Sequence, residues 1–312
     1  MKTFSSLILG LIFAPVVLTG CGPGGERGSE GDDPDGDLLT SEFEAMIGTD
    51  PDNADSDGDG FEDGEEYVNY FSPTKDDDFP YTNADYPRGP LPSSGDWDAL
   101  RDAADADEDM GRGWNVGNFS KSFAGADQYG DSLLLKRFYG EVILIDVSAE
   151  WCPPCKAAAL TFEEEWQSFV GDGVMFFTTL GDGINPGDGD AIADRWAQWP
   201  TGEMDGDSHP YGHPSQYGGE EGPAITAAII EDGTNDETEQ EISRPWLNQT
   251  NSFPSFILID RNHVITTVQA GAGGSVMEDV AEMVGEERPE VDYPLPENVD
   301  EIRDAFPGAG SN

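Results

Sequence analysis

Residues 143–156 read ILIDVSAEWCPPCK, with two of the chain's three cysteines within four residues and directly after an apolar run. Residues 142–147 are suited to a buried strand. Residues 153–170 follow as a helix, because prolines are tolerated in a first turn and Leu160, Trp166, Phe169 and Val170 supply an apolar face. The C-x-x-C therefore straddles a strand-to-helix junction. There the sulfur of Cys152 faces unpaired backbone N–H groups and the positive end of the helix dipole, and both favour thiolate. Cys152 is expected to attack. Cys155, one turn inward, is placed to close the disulfide and release a mixed-disulfide partner. Pro153 and Pro154 stiffen that turn. Two other uses of the pattern stay open: half of a zinc knuckle completed by His209, His213 or His263, and an inert structural disulfide.

Working outward, aromatic and β-branched runs begin near residue 113 and continue to 287, the expected main domain. After the helix, residues 174–179 read as a second buried strand and 190–199 as a helix. A polar, Gly-rich insertion at 200–251 holds one regular-looking segment, 225–230. Residues 256–259 and 264–268 read as strands around the turn Asp260-Arg261-Asn262-His263, and 276–284 as a last helix. The order β-α-β-α-(insertion)-β-β-α needs a parallel crossover first and an antiparallel pair later, hence a mixed sheet.

WCPPCK, preceded by an apolar strand and an acidic residue, resembles the active site of the thioredoxin superfamily. The wider stretch FYGEVILIDVSAEWCPPCKAAA is most similar to its extracytoplasmic TlpA/ResA-like, redoxin-type branch. The resemblance implies an α/β thioredoxin fold, a mixed central sheet flanked by helices. It also implies thiol–disulfide oxidoreductase activity on protein disulfides, a thiol electron donor, and no organic cofactor. By the same likeness Asp146 is the buried carboxylate that moves protons for the inner thiol. Trp151 shields the disulfide, and Pro254, in Phe253-Pro254-Ser255, is the cis-proline that holds the substrate backbone. Reduction is the expected direction; oxidation and isomerisation use the same pair. Two positions depart from the pattern: Ser148 replaces a tryptophan, and residues 174–179 contain no lysine to pair with Asp146.

The chain opens MKTFSSLILGLIFAPVVLTGC, with Lys2, an apolar run and small residues before Cys21. The run is short and early, as in a secretory signal covering residues 1–20. Leu18-Thr19-Gly20-Cys21 resembles the bacterial lipoprotein box, which implies lipidation of Cys21, a membrane anchor and a place in the cell envelope, where disulfides persist. Gly22 stands where an inner-membrane retention signal has aspartate, which favours the outer membrane. Residues 21–32 form an acidic, Gly-rich tether.

Formal charge is −49; residues 22–110 hold 28 acids against 4 bases, and 111–312 hold 36 against 10. Such a surface repels nucleic acid. Residues 33–78 contain a repeat of period 22, DPDGDLLTSEFEAMIGTDP aligned with DSDGDGFEDGEEYVNYFSP. The second copy fits D-x-D-x-D-G-x5-E. Asp55, Asp57, Asp59, the Phe61 carbonyl, Asp63 and Glu66 are the expected ligands of a calcium ion, which wants six to eight oxygens, with Gly60 at the sharp turn. The first copy spaces Asp33, Asp35, Asp37 and Glu44 correctly but puts Leu38 where the glycine belongs. The segment looks like the bacterial thrombospondin-type-three calcium repeat and is expected to stiffen a stalk. Residues 79–112 read as a linker and 288–312 as an extended tail with one short helix. The chain is thus expected to be a surface-anchored oxidoreductase. The alternative is a non-catalytic, calcium-stabilised binding or structural lipoprotein that retains the fold.

Overall fold

The computed structural model describes residues 32–90, 94–107, 110–181, 193–201, 224–231, 250, 252–271 and 275–306. The expected signal, Cys21, most of the tether, His209, His213 and most of the insertion lie outside the described residues. No helix among those described is long and apolar enough to cross a membrane.

In chain order the N-terminal part gives α1 (Ser41–Ile47), α2 (Asp63–Val68) and α3 (Ser94–Ala106). Four short strands follow: β1 (Arg112–Gly113), β2 (Phe119–Ser120), β3 (Ala124–Ala126) and β4 (Ser132–Leu134). The principal elements are β5 (Val142–Ser148), α4 (Pro153–Phe169), β6 (Val174–Leu180), α5 (Ala193–Gln198), β7 (Ala228–Glu231), β8 (Ser255–Ile259), β9 (Ile265–Ala270) and α6 (Val276–Val284). A final helix, α7 (Val299–Ala305), lies in the tail.

Every residue of β5, β6 and β8 is buried, so these strands read as continuous apolar runs rather than alternating ones. They form a five-stranded sheet of order β7-β6-β5-β8-β9. β5, β6 and β7 are mutually parallel, while β8 runs antiparallel to β5, and β9 to β8. A βαβ unit carrying the dithiol, joined to a ββα unit in one mixed sheet, is a thioredoxin-type arrangement.

The insertion does more than interrupt. Its segment 225–230 supplies β7, whose Phe177↔Ala228 register extends the sheet beyond β6. Glu163 on α4 seats the strand's start by accepting hydrogen bonds from the backbone N–H groups of Thr226 (2.7 Å) and Ala227 (3.2 Å). Gln128 serves its outer edge: its amide oxygen accepts from Ile229 N–H (2.8 Å) and its nitrogen donates to the Ala227 carbonyl (2.9 Å). An edge strand otherwise presents unpaired backbone groups.

The N-terminal third is not held apart from this body. Phe71, Tyr81 and Tyr86 belong to the main apolar core. Each such ring adds roughly 1.5–3 kcal/mol when fully buried. Buried Arg88 joins the parts: it donates to the Tyr70 carbonyl (2.9 Å) and the Tyr81 hydroxyl (2.7 Å), and pairs with Asp78 (2.9 Å). Residues 79–90 are therefore anchored to the core through Tyr81, Tyr86 and Arg88 rather than running free as a connector. α1 and α2 build a small lobe around Leu38, Leu39 and Val68, and Ile302 of α7 completes its apolar centre. The tail reaches the lobe as a clasp. Tyr293 stacks on Tyr67 with centroids 4.7 Å apart, and Asn298 donates to the Leu38 carbonyl (2.7 Å).

At the other turn of the sheet, His263 closes the β8–β9 hairpin with φ 60°. Its ring is fully buried among Trp97, Phe119 and Tyr139, and its Nδ1 lies 3.1 Å from Ser120 Oγ. Burial pushes the imidazole down to about 3, so it stays neutral and packs α3 against the hairpin.

Candidate functional site

The end of β5, the start of α4 and the entry to β8 converge. The register Val147↔Ser255 sets Pro254, the residue before β8, alongside the end of β5. Cys152 is the N-cap of α4, with Pro153 and Pro154 in the first turn. Its sulfur accepts the Cys155 N–H at 3.2 Å, so one of the helix's unpaired donors points at it. Cys152 and Cys155 are joined as a disulfide, with Cα atoms 5.3 Å apart. Cys152 keeps 2% of its surface exposed and Cys155 none. Cys152 is thus the residue of the pair that presents surface to a partner. Trp151 meets Phe253 edge-on with centroids 5.9 Å apart, which brings the loop of the cis Phe253–Pro254 bond beside the dithiol.

Asp146 lies beneath, on β5, with 1% exposure. Its Oδ2 accepts from Ser148 Oγ at 2.7 Å, and its Oδ1 has no hydrogen-bond partner. Burial pushes its carboxyl up to about 7, against the Ser148 hydrogen bond, which favours the charged form. A group poised there can take or give a proton near neutral pH. Ser148 was noted from the sequence only as a departure; here its hydroxyl touches the buried acid. Its Cα neighbours across the sheet from Asp146 are Thr178 and Phe256, with no lysine among them.

The acidic repeat forms two loops that make the same bonds 22 residues apart. Asp33 accepts from Gly36 N–H and Asp55 from Gly58 N–H, both at 2.8 Å. Asp37 accepts from Leu39 N–H (2.8 Å), and Asp59 from Phe61 N–H (3.0 Å). Leu38, with φ 73°, takes the left-handed backbone that Gly60 takes at φ 107°. The missing glycine has not changed the loop.

Asp55, Asp57 and Asp59 bring carboxylate oxygens within 4.8 Å of one another, as do Asp33, Asp35 and Asp37. Glu66 is fully buried with both oxygens unpartnered, and like charges around it compound its burial. It is pushed up to about 9, by burial first and then by Asp59 and Asp57. Buried carboxylates without hydrogen bonds are costly. A hard cation would satisfy them, so these residues fit calcium. Asp63, expected in the second loop's ligand set, is placed together with Asp37 and Glu44, their oxygens within 4.8 Å.

No protein-family model matches the chain, and no curated protein does. Solved structures do resemble it. The thioredoxin domain of a Bacteroides vulgatus thiol-disulfide oxidoreductase is 14% identical, covering 55% of this chain and 99% of its own, with TM-score 0.36. A Chlorobium tepidum thiol:disulfide interchange protein of the thioredoxin family is 15% identical over 53% of this chain and 94% of its own, TM-score 0.33. A secreted thiol-disulfide isomerase of Corynebacterium glutamicum is 15% identical over 53% and 84%, TM-score 0.35. The dithiol at the head of α4 and the sheet order stand on this chain's own residues.

Proposed function

We propose that the chain is a membrane-anchored extracytoplasmic thiol–disulfide oxidoreductase that reduces protein disulfides. In the dithiol form, the Cys152 thiolate attacks one sulfur of a substrate disulfide and expels the other as thiolate. Cys155, deprotonated with Asp146 as proton acceptor, then attacks the Cys152 sulfur and releases the second substrate thiolate. The substrate gains two electrons and two protons, and the Cys152–Cys155 disulfide remains until a thiol donor resets it. Trp151 and Pro254 border the cleft that the partner's backbone enters. Cys21 carries the lipid anchor, with the outer membrane preferred. The second acidic loop, Asp55, Asp57, Asp59, Phe61 and Glu66, with Asp63 beside it, holds calcium as a structural ion.

The observation that carries the redox reading is the sulfur of Cys152 accepting a helix N–H at the one residue of the pair that keeps any exposed surface. The non-catalytic alternative draws on how small that surface is. Insulin reduction by wild type and Cys152→Ser separates them. Loss of turnover in the variant is expected; equal rates would remove the enzymatic reading.

A further inference from the structure

The first acidic loop lacks the glycine of its motif, yet its side chains converge as the second loop's do. Asp37 and Glu44 are fully buried. Asp37 Oδ2 and Glu44 Oε2 have no partner, and neither oxygen of Asp35 has one. Glu44 Oε1 receives only a long 3.4 Å bond from Thr49 Oγ1. Asp37 and Glu44 each bring a carboxylate oxygen within 4.8 Å of one from Asp63, which belongs to the other repeat and is itself fully buried, and Asp37 is shared with the Asp33–Asp35 group. Asp63 is tied to the second loop: its Oδ1 accepts from Ser56 N–H (2.8 Å) and its Oδ2 from Ser56 Oγ (2.7 Å). Ser56 sits between Asp55 and Asp57, two ligands proposed for that loop. One carboxylate oxygen has lone pairs enough to accept a hydrogen bond and bind a cation.

We propose that the lobe has a second divalent-cation site, formed by Asp33, Asp35, Asp37 and Glu44 of the first repeat with Asp63 of the second, so that the two repeats load as a coupled pair. The donors are all oxygens and nearly all charged, with no nitrogen or sulfur, which selects calcium over zinc or copper. Ser56 is the coupling element. When the second loop closes, the Asp55–Asp57 backbone fixes Ser56, and Ser56 orients Asp63 into the first cage. By linkage, filling the first cage favours closure of the second by the same factor. Loading also orders the segment on which the tail rests, because Leu38 accepts the Asn298 bond and shares an apolar cluster with Ile302.

This inference rests on the calcium reading of the second loop, and the experiment distinguishes the two. Calcium is titrated calorimetrically into the chelator-stripped full chain and into Glu44→Gln, Asp63→Asn and Glu66→Gln. Wild type should take up two ions. Glu44→Gln should take up one ion, more weakly than wild type fills that site. Asp63→Asn should weaken the first site by about 10- to 100-fold, the scale of loss on removing a metal-site partner, and the second through the lost coupling. Glu66→Gln should weaken both. A wild type that binds a single ion, lost in Glu66→Gln and unchanged in Glu44→Gln, overturns the second site and leaves the first reading intact. No uptake by any form overturns both. Terbium luminescence stoichiometry on the same proteins, each with a wild-type thermal transition of the head, guards against misfolded variants. Equal stoichiometry in wild type and Glu44→Gln there also overturns the proposal.

Discussion

Around the dithiol, β5, β6 and β8 are buried along their whole length, and one acid, Asp146, interrupts them. The acidic lobe has the opposite balance. Asp37, Glu44, Asp63 and Glu66 are fully buried there, against an apolar centre of Leu38, Leu39, Val68 and Ile302. Both regions are loop-to-helix junctions with carboxylates below the surface. The head has enough hydrophobic burial to carry that acid with a raised pKa. The lobe does not, and its geometry is stable only if something neutralises it. On the proposed function, a buried carboxylate oxygen without a partner serves proton transfer in one place and cation binding in the other.

The comparison would break most visibly under chelation. Removing calcium should abolish amide-exchange protection across residues 33–71 and 293–303 while β5 and β6 keep theirs; equal loss in both regions would mean they fold as one unit. Protons compete with the ion for these carboxylates. Glu66 is pushed up to about 9 and Asp37 and Glu44 to about 7, so calcium affinity should rise with pH over that range and loading should release protons at pH 7. Titrations in buffers of different ionisation heat measure that release.

Ile302→Ala comes next. It opens a cavity in the lobe's small centre and should cost ~2–5 kcal/mol there. The tail should become sensitive to protease while the head's melting is unmoved. A coincident drop in the head would refute the separation.

Asp146→Asn sharpens the other side. The carboxyl rises from 3.8 to about 7 on folding, so between those values the folded state holds a proton that the unfolded chain has lost. Head stability should therefore fall as pH climbs from about 4 through 7, and the asparagine variant should lack that fall. The difference at pH 8 is at most on the order of 4 kcal/mol, at 1.36 kcal/mol for each unit. Denaturant midpoints of the oxidised proteins at pH 5 and pH 8 read it directly. The smallest effect belongs to Ser148→Ala. Losing the hydroxyl that donates to Asp146 removes about 1 kcal/mol of preference for the charged form. The pH profile of insulin reduction should shift upward by less than about one unit.

Much of the head was legible because its signals are local. An apolar run of strand length, prolines at a helix start and a dithiol between them define β5 and α4 without distant partners. The antiparallel β8–β9 pair and α6 were readable for the same reason. β7 was visible as a segment but not as the sheet's edge, since strand pairing depends on residues 51 positions away: Phe177 faces Ala228. Tyr81 and Tyr86 lie in a Pro- and Asp-rich stretch that reads as a connector, and only the core shows that their rings are needed there. The convergence of Asp55, Asp57 and Asp59 follows from spacing alone. Asp63 does not, because its placement with Asp37 and Glu44 depends on how two repeats pack.

From the order of residues come the dithiol at a helix start, its buried acid, the mixed sheet and the period-22 carboxylates, since each is set by neighbours within a turn or a strand. Tertiary structure alone decided that the tail clasps the lobe, that Ser148 touches Asp146 with no lysine opposite it in the sheet, and that Asp63 faces the other repeat. Those outcomes hinge on contacts between residues far apart in the chain, where burial and packing, rather than local conformational preference, select the partner.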